Sequence, residues 1–220
     1  YKITQRSFNP LSASVRNKRF LITGASSGLG LVVAQELARR GAELTLVVRD
    51  HDKGKRTVAE LQRESGNAAI SYELADLSLM ADVDALIARM IKRGKPLDVL
   101  INNAAVILYH PIAEVNYEEW QKAWNETITV NLQAAANLCF CVAQEMKSTG
   151  GGRIVNVSSR GAFRGEPDMP AYGASKAGMN AMSQSLAMAL AKWNIFVGTV
   201  APGFIETDRV APILNGERGE

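Results

Sequence analysis

The chain has 220 residues, 47% hydrophobic and 21% charged, with a formal net charge of +3. That balance belongs to an ordinary globular protein, and the length suits one domain that buries a substantial core. The small charge and the lack of a Lys/Arg patch interleaved with aromatics argue against nucleic acid, and apolar runs such as 99–101 and 104–108 fall well short of a membrane span.

Residues 1–18 read as a basic extension on a domain of residues 19–220. They carry Lys2, Arg6, Arg16 and Lys18 but no acid, the first carboxylate being Glu36. This composition is compatible with a transit-peptide remnant, which would imply the mitochondrial matrix. No apolar face recurs at helical spacing, however, so a poorly ordered extension on a cytoplasmic protein is the expectation.

From Arg19 onward, short apolar runs alternate with amphipathic stretches. Strands are predicted at 20–23, 44–48, 69–74, 98–102, 153–157 and 196–201. Helices are predicted at 28–40, 53–64, 80–92 and 172–192, with a long, broken helical region over 117–147. Near-continuous apolar strands separated by helices specify an α/β fold, a parallel sheet covered on both faces. Neither an internal repeat nor a dividing linker is visible. Cys139 and Cys141 fit neither a disulfide framework nor a metal spacing and read as buried reduced thiols. His51 and His110 have no partner at ligand spacing, so no metal is expected.

Two features carry chemistry. The first is Thr23-Gly24-Ala25-Ser26-Ser27-Gly28-Leu29-Gly30, between the first strand and the first helix. Glycines there let the backbone approach a pyrophosphate, and the helix N-terminus presents free N–H groups and a positive dipole. The spacing is G-x-x-x-G-x-G, not the commoner G-x-G-x-x-G. The second is Tyr172 with Lys176, one helical turn apart and therefore on one face, 13 and 17 residues after Ser159. A tyrosine ordinarily titrates near ~10, so acid/base work at neutral pH needs that value depressed, and a held ammonium is one source of the depression. Either feature alone could be structural, as a tight connection or a pair of surface residues.

Together with Ala75-Asp76-Leu77, Asn102-Asn103-Ala104-Ala105, Asn131, Ser159 and Pro202-Gly203, taken in this order, the chain resembles the short-chain dehydrogenase/reductase family of the classical type. The resemblance spans about residues 19–208 and implies a Rossmann-like doubly wound sheet in a single domain. It implies that Tyr172 is the acid/base and that Lys176 lowers its pKa and binds the nicotinamide ribose. Ser159 would donate a hydrogen bond to the substrate oxygen, and Asn131 would bend its helix and hold a water serving Lys176. Gly24, Ser26, Ser27, Gly28, Leu29 and Gly30 would cradle the cofactor phosphates. Asp76 and Leu77 would hold the adenine, Asn103 and Ala104 would line the adenosine side, and Pro202, Gly203, Phe204, Ile205 and Thr207 would sit by the carboxamide. Plainer readings exist beside these: Ser158 and Ser159 as a strand-end cap, Asn131 as a helix-breaking polar residue, Tyr172 as a surface aromatic.

NADP(H) is the expected cofactor. Asp50 is tempting as a ribose-binding acid, but the family's discriminating position falls on Val48, followed by Arg49, and an uncharged residue before arginine is the NADP-preferring pattern. Three positions depart from the family pattern. Ala105 replaces a glycine, which is tolerable if its φ is not positive, and Asn194 and Gly198 stand where the family often has glycine and asparagine.

The second half of the chain looks most like the 3-oxoacyl-thioester (acyl-carrier-protein) reductases, while residues 49–54 are similar to retinol-type dehydrogenases. Substrate-facing positions are expected over 160–168 and after Gly203. An inactive cofactor-binding scaffold is the alternative of another class, though neither the Tyr/Lys pair nor the glycine turn is broken. An extended-branch nucleoside-diphosphate-sugar epimerase would need a C-terminal substrate domain for which there is no room.

Apolar residues on more than one face of the two longest helical regions suggest a homo-oligomer, a tetramer by family resemblance. The resembled family continues past the sixth strand with a helix and a seventh parallel strand. Nothing after Phe204 supplies one, so the expectation is a longer native polypeptide or a tail lost to disorder or cleavage.

Overall fold

The computed structural model describes residues 14–94, 96–203 and 205. Strands β1 (Arg19–Thr23), β2 (Glu43–Val48), β3 (Ile70–Leu74), β4 (Val99–Asn102), β5 (Gly152–Val157) and β6 (Ile195–Val200) form one parallel sheet, ordered β3-β2-β1-β4-β5-β6. Parallel neighbours cannot be joined by tight hairpins, so helices make the crossovers. They are α1 (Gly28–Arg39), α2 (His51–Ser65), α3 (Met80–Lys92), α4 (Tyr117–Ile128), α5 (Ala134–Thr149) and α6 (Pro170–Leu190).

Because both faces of the sheet are covered, successive residues of β1 enter different cores. Phe20 and Ile22 pack with Leu44, Leu46, Ala34, Ala38 and Leu61, under α1 and α2. Leu21 faces the other way, with Leu100, Leu86, Leu138, Met146 and Ile154, under α3 and α5. Complete burial of each such side chain contributes about 1.5–3 kcal/mol. Strand order reverses between β1 and β4, whose register pairs Phe20 with Val99 and Ile22 with Ile101. The crevice beyond the C-terminal ends of those strands is where doubly wound sheets bind ligands.

The predicted elements are all present, and their ends move for identifiable reasons. Helix α2 starts at His51 rather than at 53 because the Asp50 carboxylate caps it, accepting from the Lys53 N–H at 2.8 Å. Helix α6 starts at Pro170, whose fixed φ suits the first turn, and gives way after Leu190 to a 3-10 turn, Ala191–Trp193. The broken helical region resolves into α4, a π-helical segment Thr129–Gln133, and α5.

Asn194 adopts φ +57°, a left-handed conformation that asparagine tolerates, and its Nδ2 donates to the Gly150 carbonyl at 3.1 Å. Asparagine thus does here what glycine often does. Ala105 is not among the residues with positive φ, so its methyl group costs no strain.

Residues just before β1 are tied to the domain. Val15 packs against the core beneath α1 and α2, the Asn17 N–H donates to the Gly41 carbonyl at 2.9 Å, and Lys18 pairs with Asp98 at 2.8 Å. Of the extension expected over 1–18, residues 14–18 are thus not a loose tail, while residues 1–13 lie outside the described residues, as do Phe204, Thr207 and any seventh strand. Among the described residues, β6 is an edge strand.

Candidate active site

The glycine turn closes over the end of β4. Gly24 has φ +66°, and a Cβ there would lie 2.8 Å from the Ala104 Cα. A Cβ on Gly30 would strike the Asn103 amide and the Gly24 carbonyl. Both glycines are required by this close approach of two backbones. Gly28, at φ +55°, faces open space instead. Ser27, extended and N-terminal to α1, makes no side-chain cap, and the first turn carries no acid. The first N–H groups of α1 and its positive dipole end are therefore placed to receive an anion, which fits a dinucleotide's pyrophosphate.

Thr23, which the sequence reading left out of the site, knits the turn to β4. Its hydroxyl oxygen accepts from the N–H groups of Asn103 and Ala104, both at 3.0 Å. The Asn103 amide in turn donates to the carbonyls of Thr23 and Gly24, also at 3.0 Å.

The residues expected on the adenosine side lie past β2 and β3. Val48 is buried, with Gly54 of α2 leaving it room, and Arg49 after it is exposed. Hydrogen bonds from the Ser78 hydroxyl and N–H, helped by the positive charge of Arg49, hold the Asp76 carboxyl below the usual carboxylate range. Leu77 turns into the core. On the opposite rim, the Pro202 carbonyl accepts from the Arg160 N–H at 3.0 Å, and Gly203 and Ile205 are exposed.

Ser159, just beyond β5, is half-buried with extended backbone, and its hydroxyl oxygen accepts from the Gly161 N–H at 3.1 Å. It caps the short turn Arg160–Ala162, while the Ser158 hydroxyl donates to the Lys176 carbonyl at 3.3 Å, and this leaves the Ser159 hydroxyl proton able to donate elsewhere. Tyr172 stands half-buried in the first turn of α6. Lys176, one turn on, is 2% exposed, donates to the Val157 carbonyl at 2.8 Å, and lies with its ammonium 5.7 Å from the centre of the Tyr172 ring. Burial lowers the Lys176 ammonium to about 8, still mostly charged at neutral pH.

Asn131 sits at the centre of the π-helical segment and is fully buried. Its Oδ1 accepts from the Val106 N–H at 2.8 Å, and its Nδ2 donates to the Val106 carbonyl at 3.0 Å and the Ser175 hydroxyl at 3.2 Å. Ser175 passes the connection on, donating to the Tyr172 carbonyl at 2.7 Å. Val106, Ser175 and Val157 were not singled out in the sequence, because their roles rest on contacts between distant segments.

Neither cysteine belongs to this constellation. Cys139 is buried below the sheet, where desolvation pushes its thiol up to about 11. Among the described residues, no group of three or more His, Cys, Asp or Glu is placed to hold a metal ion.

The family model of the short chain dehydrogenases matches residues 18–218. The chain is 31% identical over 204 residues to the 3-oxoacyl-(acyl-carrier-protein) reductase FabG of Chlamydia muridarum, covering 93% of this chain and 80% of that protein. A short-chain dehydrogenase from Sphingobium yanoikuyae in complex with NADPH superposes with a TM-score of 0.79 at 35% identity, over 89% of this chain and 74% of that one. A gluconate 5-dehydrogenase from Burkholderia cenocepacia in complex with NADP and tartrate gives 0.81 at 27%, over 92% and 77%. The chain belongs to the short-chain dehydrogenase family, an oxidoreductase built on the sheet and site described above.

Proposed function

We propose that this protein is an NADP-dependent reductase that interconverts a carbonyl and a secondary alcohol, with a 3-oxoacyl thioester as the substrate class. The observation that carries the reading is Lys176, one turn from Tyr172 on α6, with its ammonium 5.7 Å from the centre of the Tyr172 ring and bonded at 2.8 Å to the carbonyl of Val157, two residues before Ser159. A 3-oxoacyl substrate is supported by the likeness to the Chlamydia reductase. NADP is supported by Arg49 beside Asp76, a guanidinium suited to a 2′-phosphate, and by the NADP-binding relatives.

When bound, the nicotinamide supplies or accepts the hydride. The chain's own residues handle binding and the proton. Gly24, Gly28, Gly30 and the N-terminus of α1, with Ser26, Ser27 and Leu29, hold the phosphates. Asp76, Leu77, Asn103 and Ala104 would frame the adenosine, and Pro202, Gly203 and Ile205 would flank the nicotinamide. Ser159 donates a hydrogen bond to the substrate oxygen, where negative charge grows. Tyr172 delivers the proton to that oxygen in reduction and takes it back in oxidation. Lys176 holds a positive charge near the phenol, favours its ionised form and reaches the nicotinamide ribose. Asn131 fixes the π-helical segment and, through Ser175, the turn that bears Tyr172.

The assembly is proposed to be a homotetramer, supported by exposed Phe140 on α5 and Met188 on α6, 64% and 84% accessible. Light scattering should then give four times the chain mass, and a monomer at micromolar concentration would refute it. A cytoplasmic location is supported by the two free cysteines. No helix among the described residues is long and apolar enough to cross a membrane.

The functional test is NADPH oxidation against a panel of ketones and 3-oxoacyl thioesters. Turnover greatest with the thioesters supports the proposal. Cofactor binding with no turnover on any carbonyl would favour a scaffold.

A further inference from the structure

Helix α6 bears Tyr172 in its first turn, yet it has no cap of its own. The residue before it, Met169, makes no side-chain cap, and Pro170 opens the helix. The start of a helix leaves N–H groups that need partners from elsewhere. Here one partner comes from 61 residues upstream: His110 Nε2 lies 3.2 Å from the Ala171 nitrogen. On the other side of the ring, Nδ1 lies 2.7 Å from the Leu108 carbonyl oxygen. A carbonyl can only accept and an amide N–H can only donate, so the two bonds fix a single form, the neutral imidazole with its proton on Nδ1.

The surroundings hold that ring in place. His110 is 1% exposed, and its own N–H donates to the Asp168 carbonyl at 2.8 Å. Its ring meets Trp120 of α4 edge-on, with centroids 5.5 Å apart and planes at 64°. One residue thus joins the segment after β4 and the first turn of α6 through its ring, and the loop between β5 and α6 through its backbone N–H. Ala171, the residue it caps, directly precedes Tyr172.

We infer that His110 is a positioning residue for the proton donor: it caps α6 from a distant segment and so sets where Tyr172 stands. The inference rests on the reading of Tyr172 as the acid. His110 touches no reacting atom; it acts through the Ala171 amide.

Three substitutions separate this role from simple packing. In His110→Gln, Oε1 can occupy the place of Nε2 and accept from Ala171. In His110→Asn, the shorter amide can keep the bond to Leu108 but cannot reach Ala171, and His110→Ala keeps neither. Steady-state reduction with NADPH should show kcat lowered about 10- to 100-fold in the Asn and Ala variants, the range expected when a reacting group is misplaced by a fraction of an ångström to an ångström. KM for NADPH should stay within about twofold, since the cradle is untouched, and His110→Gln should return kcat to within about threefold of the parent.

Amide hydrogen exchange at Ala171 should accelerate in the Asn and Ala variants and slow again in the Gln variant. Equal kcat losses in the Gln and Asn variants, or a wild-type kcat in the Asn variant despite faster exchange, would overturn the inference. Should the parent and Tyr172→Phe reduce carbonyls equally well, it is the reading of Tyr172 that fails. Unchanged Ala171 exchange in His110→Ala, by contrast, would remove His110's capping role whatever the activity.

Discussion

Replacing Asn131 by alanine tests how the site is held. The wild-type carboxamide makes three hydrogen bonds, two part-buried ones to the backbone of Val106 and a buried one to the Ser175 hydroxyl, at 2.8, 3.0 and 3.2 Å. Each lost bond costs about 1 kcal/mol, and leaving the half-buried Val106 groups without a partner adds about 1 kcal/mol, the lower end of the range for such groups. The expected loss is therefore about 4 kcal/mol. For a chain of this length that lowers Tm by about 8–16 °C. With those bonds gone, α4 and α5 should also rejoin as a more regular helix. Urea unfolding of Asn131→Ala, with Asn125→Ala on exposed α4 surface as control, measures the difference. The control should change stability by no more than about 0.5 kcal/mol. A loss below about 1 kcal/mol in Asn131→Ala would refute the hydrogen-bond account.

Three further outcomes follow from the same geometry. Arg49→Glu should shift the NADPH:NADH ratio of kcat/KM toward NADH by about 10- to 100-fold, the worth of one charge-assisted hydrogen bond to a phosphate; an unchanged ratio would remove Arg49 from the cofactor site. Lys176 titrates lower in the fold than its ordinary value, at about 8 against 10.5. Between those values the unfolded chain binds more protons, so stability rises with pH across this window. Relative to Lys176→Met, the parent should gain about 2 kcal/mol between pH 7.5 and 9.5, and a flat difference would show that Lys176 is not desolvated. Ser159→Ala should lower kcat about 100-fold or more with NADPH affinity retained, and a loss confined to KM would assign Ser159 to ground-state binding alone.

The centre of the sheet was legible because β1 and β4 are buried on both faces and read as unbroken apolar runs, Phe20-Leu21-Ile22 and Val99-Leu100-Ile101. The Tyr172/Lys176 face and the glycine turn were legible because each is local: one helical turn, and one strand-to-helix connection. What stayed hidden depends on segments far apart in the chain. The helical region over 117–147 reads as broken and the family resemblance puts a bend at Asn131, but nothing in its composition makes that bend a π-helical turn over 129–133. That position follows from Asn131 reaching Val106, 25 residues away. Thr23 is an ordinary strand residue until the N–H groups of Asn103 and Ala104 converge on its hydroxyl. His110 could be judged in the sequence only as a metal ligand lacking partners. Its part as a cap for α6 exists only once the fold brings Ala171 beside it.

If Tyr172 supplies the proton, Tyr172→Phe, which removes one oxygen and leaves the ring, should abolish proton delivery alone. On a carbonyl substrate that the parent reduces, kcat should fall about 10²- to 10⁴-fold, the usual worth of a positioned acid. NADPH binding, measured by fluorescence titration, should be nearly unchanged, because the glycine cradle and Arg49 are untouched. Turnover close to the parent's in this variant would contradict the account, whatever the other substitutions do.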